Sequence, residues 1–219
     1  MRTHGLQRAI YHSKATGVMT RLFLPLLASL TLLVAGCGSS DPSGGQPDAR
    51  APLAGAKIGG PFRLTDGRGR TVTDRDFAGR YRVMYFGYTF CPDVCPTDMQ
   101  AIAAGLKLLD KRAPAKAKTI VPIFVTVDPE RDTAAVVGRF AAAFDPRIVG
   151  LTGSPTQIDA VKKAYAIWSA KGDPAPGGGY LVNHSRQVYL MDPDNKPLAL
   201  VPADEGPEAV AKTLDQWVR

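Results

Sequence analysis

Apolar and polar positions along the 219-residue chain change period several times, and each change marks an element. Two short runs are almost wholly apolar: Tyr81-Arg82-Val83-Met84-Tyr85-Phe86, and TIVPIFVTV from Thr119 to Val127. Rich in β-branched and aromatic residues, they predict two buried central strands. Between them Met99, Ile102, Leu106 and Leu109 recur at helical spacing, and Pro96 suits the first turn of that helix. Ala134 to Phe144 predicts a second helix and Ile148 to Leu151 a short strand. Ser154, as N-cap, opens a third helix running to Trp168. Gly172 to Gly179 is rich in Gly and Pro and predicts a loop. Arg186–Met191 and Lys196–Val201 predict a hairpin across Pro193-Asp194-Asn195, and Pro207–Val218 a closing helix. Upstream, Phe62–Leu64 and Thr71–Thr73 flank Asp66-Gly67 as a first hairpin. Strands alternating with helices, followed by a hairpin and a last helix, describe an α/β chain with a mixed sheet flanked by helices.

Before this pattern begins, Leu22 to Gly36 reads LFLPLLASLTLLVAG, an uncharged apolar run following Arg21. It is shorter than the ~20 residues of a membrane span and fits the apolar region of a signal peptide. The run ends at Val34-Ala35-Gly36-Cys37, small residues before a cysteine, which resembles a bacterial lipobox. Residues 1–36 are thus expected to be a lipoprotein-type signal peptide, with Met19 a more compact start, and Cys37 the lipidated residue. Two or more acyl chains are what stable anchoring requires. Residues 37–59, rich in Gly, Ser, Pro and Ala, read as a flexible tether, and residues 60–219 as the folded domain. The place implied is a bacterial cell envelope, with the domain lipid-anchored and facing the periplasm or the exterior, where disulfides persist.

The formal charge of +7 changes the picture little. Arg2, Arg8, Lys14 and Arg21 lie within residues 1–36, which hold no acidic residue. No run of Lys and Arg interleaved with aromatics follows, so nucleic acid is not an expected partner.

The candidate chemistry lies in Cys91-Pro92-Asp93-Val94-Cys95-Pro96, where a buried strand gives way to a helix. A thiol at a helix N-terminus faces backbone N–H groups and the positive end of the dipole, which favours thiolate. Thiolate both attacks disulfides and binds soft metals. Thioredoxin-type oxidoreductases space their cysteines by two residues, whereas three intervene here, a wider bite that can span a metal and still close a disulfide. Two thiolates and an imidazole suit Cu(I) or Zn(II). His4 and His12 precede the apolar run, so His184 is the available third ligand. The plainer alternatives are a structural disulfide and a hydrogen-bonded surface histidine. The disulfide is poorly motivated, because so small a ring restrains the unfolded chain weakly. A peroxidase reading lacks an evident separate resolving cysteine.

Taken together, these residues resemble the SCO/SenC family, thioredoxin-like proteins involved in assembling the copper centre of cytochrome c oxidase. The resemblance runs from about Gly60 to the C-terminus. It is carried by Gly87-Tyr88-Thr89 with the Cys91–Pro96 motif, Val127-Asp128-Pro129-Glu130-Arg131-Asp132-Thr133, Val149-Gly150-Leu151-Thr152-Gly153 and Val182-Asn183-His184-Ser185. It implies a thioredoxin-like fold with Cys91, Cys95 and His184 as ligands of one copper ion, Cu(I) or Cu(II). Asp128 is implied to lie near the site, orienting His184 or assisting transfer to a partner. Many relatives have aspartate before the histidine; Asn183 here removes that charge. The expected function is copper delivery to the copper-binding subunit of a haem–copper oxidase. A Cys91–Cys95 disulfide in the oxidised form would abolish loading, and thiol reductants would restore it. The rival is a thiol-disulfide reductase acting on that subunit's cysteines through the same redox-active pair.

Overall fold

In the computed structural model, which describes residues 50–174 and 178–219, both apolar runs are adjacent parallel strands at the middle of a sheet. In chain order the elements are β1 (Arg63–Asp66), β2 (Thr71–Thr73), β3 (Tyr81–Gly87), α1 (Val94–Arg112), α2 (Pro114–Ala117), β4 (Ile120–Thr126) and α3 (Ala134–Phe144). There follow β5 (Val149–Thr152), α4 (Pro155–Ala164), β6 (Ser169–Pro174), β7 (Tyr180–His184), β8 (Val188–Met191), β9 (Pro197–Leu200) and α5 (Pro207–Trp217). Seven strands form one mixed sheet in the order β2-β1-β5-β4-β3-β8-β9, and β6 and β7 form a separate antiparallel ribbon. β3, β4 and β5 are parallel; β8 runs antiparallel to β3, with Tyr85 opposite Val188.

Successive side chains of a strand point to opposite faces, and β3 uses both. Tyr85 points to α1, where its hydroxyl meets Asp98. Its ring also tilts against Phe124 of β4, which meets Phe140 of α3. Phe86 points the other way, against Tyr165 at the end of α4. Helices thus cover both faces, as the sequence pattern implies. Arg82, inside an apolar run, is only 2% exposed. Its guanidinium donates to the carbonyls of Asp192 and Asp74 at the end of the sheet remote from the cysteines.

Both expected hairpins are present. Leu64 pairs with Val72, and Asp66 closes the first turn by accepting the N–H groups of Arg68 and Arg70. Asp192 likewise accepts from Asp194 and Lys196 between β8 and β9. Ser154 caps α4 through the Gln157 N–H, and Gln157 returns the bond to Ser154 N–H.

Three readings need correction. The helix opened by Ser154 ends at Ala164, because the chain turns at Ala166 into the left-handed region at φ 52°. The segment read as a loop from Gly172 begins inside β6, which pairs Lys171 with Val182. Tyr180–His184 is itself a strand. Ser-Ala-Lys-Gly-Asp-Pro has weak strand propensity, so β6 exists by virtue of its partner. Residues 50–59, read as tether, lie on the domain: Leu53 and Ile58 pack on the core, and Leu53 N–H donates to Leu198. Among the described residues no helix is long and apolar enough to cross a membrane. The expected signal segment, Cys37 and residues 38–49 of the tether lie outside the described residues.

Candidate metal centre

The chain leaves β3 at Gly87 and reaches Cys91 through Tyr88-Thr89-Phe90. Asp132 fixes this turn, accepting from the N–H of Thr89 at 3.0 Å, the Thr89 hydroxyl, and the Thr126 hydroxyl at 2.6 Å. Burial raises the Asp132 pKa, against the lowering effect of those donors. Gly87 is glycine for a local reason: a side chain there would come within 2.9 Å of Cys95 Sγ. Cys95 occupies the first turn of α1 and is fully buried, while Cys91 is half-buried. Cys95 N–H points at Cys91 Sγ at 3.4 Å, so the start of α1 supplies a donor to that sulfur.

Both thiols are free in this structure. The pair shares its protons unequally. Cys91 is pulled well below the ordinary thiol range, chiefly by a hydrogen bond from Cys95 and further by backbone N–H groups at the helix start. Cys95 is pushed up by the neighbouring Cys91 sulfur and by burial. Cys91 is therefore the thiolate and Cys95 the thiol. An ordinary cysteine, with a pKa of ~8.5, alkylates about tenfold more slowly for each pH unit below that value. In the reduced protein, Cys91 labelling by iodoacetamide is expected to stay nearly constant from pH 8 to pH 5, with Cys95 unlabelled. Mass spectrometry of the labelled peptide checks it, and a tenfold fall per unit would contradict it.

β7 brings His184 to this pair. Its Nδ1 lies 2.8 Å from the carbonyl of Ser185. A carbonyl only accepts, so Nδ1 carries a proton, and in the neutral ring Nε2 presents its lone pair. Nε2 stands 3.3 Å from Cys95 Sγ, and the Tyr88 ring packs at right angles to the imidazole. One donor atom from each of Cys91, Cys95 and His184 lies within 4.8 Å of the other two. Donors bonded at ~2.0–2.3 Å to one metal stand roughly 4 Å apart, so the trio fits a metal with small adjustments. Two sulfurs and a neutral imidazole select a soft ion.

Asp128 bonds Arg131 and Tyr180 and not His184. It is 3% exposed and accepts from Arg131 Nε and from the Tyr180 hydroxyl at 2.8 Å. The Arg131 guanidinium lies 3.8 Å over the Tyr180 ring and donates to the Tyr180 carbonyl. Asp128 thereby secures the far end of the β6–β7 ribbon, and the group orienting His184 is the Ser185 carbonyl. Asn183 is exposed and alternates with His184 along β7, so the missing charge faces away from the imidazole.

Sequence reasoning passed over Asp98, Arg186 and Asp132. Asp98 sits three residues after Cys95, on the same face of α1 as Met99 and Ile102. A carboxylate within that apolar stripe was the available signal. Asp132 lies in the same Val127–Thr133 motif as Asp128, four residues further on.

The fold and the site define a class: a thioredoxin-like domain whose loop between the first central strand and its helix bears a cluster of two thiols and an imidazole. Thioredoxin architecture alone links it to the thioredoxin domain of a thiol-disulfide oxidoreductase from Bacteroides vulgatus, at 15% identity and a TM-score of 0.51 over 74% of this chain and 96% of that one. The chain belongs to the SCO1/SenC family, whose model matches residues 50–219. It is 44% identical over 164 residues to Protein SenC of Rhodobacter capsulatus, spanning 74% of this chain and 71% of that protein. With the mitochondrial SCO1 homolog 1 of Arabidopsis thaliana it shares 41% over 144 residues, 65% of this chain but only 42% of that protein. The structure of Bradyrhizobium japonicum ScoI with copper bound superposes with a TM-score of 0.65 at 38% identity, over 74% of this chain and 99% of that one.

Proposed function

We propose that this protein binds one copper ion between Cys91, Cys95 and His184 and delivers it to the copper-binding subunit of a haem–copper oxidase, at its CuA centre. The observation that carries the reading is the convergence of the three soft donors within 4.8 Å. Copper in the Bradyrhizobium relative supports it. In this reading the half-exposed Cys91 thiolate meets incoming Cu(I) first. The Nε2 lone pair of His184 already faces the sulfurs, and Cys95 surrenders its proton as it becomes the third ligand, so loading releases a proton. Three ligands leave copper open to an incoming partner ligand, and hand-over proceeds by exchange. A two-electron oxidation of Cys91 and Cys95 to a disulfide removes both thiolates and stops loading until a thiol reductant restores them. Lipidation of Cys37 would hold the domain at the envelope membrane, facing the periplasm or the exterior.

A second reading has its own observation. A half-exposed thiolate beside a buried protonated thiol is also how a nucleophilic and a resolving cysteine are arranged. Cys91 would attack a substrate disulfide and expel one thiolate. Cys95, losing its proton, would then attack Cys91 Sγ, expel the second thiol and close the Cys91–Cys95 disulfide. That cycle makes no use of His184. In a transfer assay with an oxidase copper-binding domain, His184→Ala is expected to lose copper delivery while retaining reduction of that domain's disulfide. Undiminished delivery by His184→Ala would remove the chaperone reading.

A further inference from the structure

Beneath the metal centre lies an ion pair that the donor cluster itself does not require. Asp98 has a side chain only 1% exposed, and Arg186 grips it with two bonds, Nε to Oδ2 at 2.8 Å and Nη2 to Oδ1 at 2.6 Å. The two residues are 88 apart in the chain. Each nevertheless stands next to a donor: Asp98 three residues after Cys95 on α1, and Arg186 two residues after His184. The Tyr85 hydroxyl, from β3, donates to the same carboxylate.

The two sides of the pair differ in rigidity. α1 is fixed against the sheet by Met99, Ile102, Leu106 and Leu109, each at most 2% exposed. Ser185 still closes the β6–β7 ribbon, its N–H donating to the Trp168 carbonyl and its hydroxyl accepting from the Trp168 N–H, but residues 186–187 then cross to β8 outside either strand pairing. A two-bond guanidinium–carboxylate fork is directional as well as strong. It ties this crossing segment to the helix, two residues beyond His184 and three beyond Cys95.

We propose that Asp98 and Arg186 are positioning residues for the metal centre, setting the reach of His184 to the two sulfurs. The inference rests on the copper reading of Cys91, Cys95 and His184. It concerns neither a ligand nor a group that touches the ion. Partners that orient ligands from outside contribute about 10–100-fold to metal affinity. A neutral double variant, Asp98→Asn/Arg186→Gln, avoids leaving a buried carboxylate alone and is expected to fold with an apo Tm near that of the wild type.

The test uses the full reduced chain of the wild type, the double variant and Arg186→Lys, titrated with Cu(I) against a competing chromogenic chelator. Apo Tm, the thiolate-to-Cu(II) absorption band and the His184 imidazole NMR resonances of the apo protein are recorded alongside. The expected result is Cu(I) binding weakened about 10–100-fold in the double variant, a shifted absorption band, and His184 resonances broadened before any metal is added. Arg186→Lys, which keeps the charge and loses the fork, is expected to fall between. Wild-type affinity and an unshifted band in a folded double variant would overturn the proposal. Should the double variant not fold, Arg186→Lys decides in the same way. Should the wild type bind no copper, the copper reading fails. The pair is then judged on the apo resonances alone: broadening in the variants supports it and sharp wild-type signals overturn it.

Discussion

Replacing Asp132 with alanine is expected to lower the apo melting temperature by about 6–10 °C, whereas Asp132→Asn lowers it by only a few degrees. The carboxylate accepts from the Thr89 N–H and from two threonine hydroxyls, all at the turn that delivers Cys91. Alanine leaves these donors without acceptors in a buried site, at about 1–3 kcal/mol for the N–H alone and less for hydroxyls that can turn to one another. For a domain of this size about 1 kcal/mol corresponds to roughly 2–4 °C. Asparagine keeps one oxygen for the Thr89 N–H and the Thr126 hydroxyl, and its amide can donate to the Thr89 hydroxyl. Burial raises the Asp132 pKa in the folded state. The associated stability is therefore present at low pH and is lost as pH rises through that raised value. Acidification from pH 7 towards pH 4 is thus expected to stabilise the wild type relative to Asp132→Asn. Scanning calorimetry of the three proteins at both pH values checks the order and the sign. Equal melting temperatures for Asp132→Ala and wild type would show that the turn is held by something else.

Local signals made much of the fold legible. β3 and β4 were readable because buried parallel strands are apolar on both faces, and the cysteine turn was readable because it stands at the junction of β3 and α1. The two hairpins carried their own turn residues, Asp66-Gly67 and Pro193-Asp194-Asn195. What escaped was set by partners distant in sequence. β6 takes its strand form from β7. Arg82 sits in an apolar run because the carbonyls of Asp74 and Asp192 come back to meet it.

The site divides along the same line. Cys91, Cys95 and His184 were identifiable by residue type, by spacing and by the scarcity of histidine, and the structure brings them together. The groups that hold them were not. Nothing local links Asp98 to Arg186, and the motif containing Asp128 gave no sign that its partners are Arg131 and Tyr180. Asn183 removes a charge beside His184 in the sequence, yet strand alternation turns it to solvent and a backbone carbonyl orients the ring.

The most direct test of the account is an anaerobic Cu(I) titration of the fully reduced protein against a chromogenic chelator, run in parallel on His184→Ala. A four-ligand zinc site is worth an apparent ~10–16 kcal/mol, about 3 kcal/mol per ligand, so losing one donor weakens binding on the order of 100-fold. The account predicts one tight equivalent in the wild type and a loss of that size in the variant. No competitive binding by the wild type, or binding indifferent to His184, would contradict the three-donor copper centre and leave the redox pair as the functional unit.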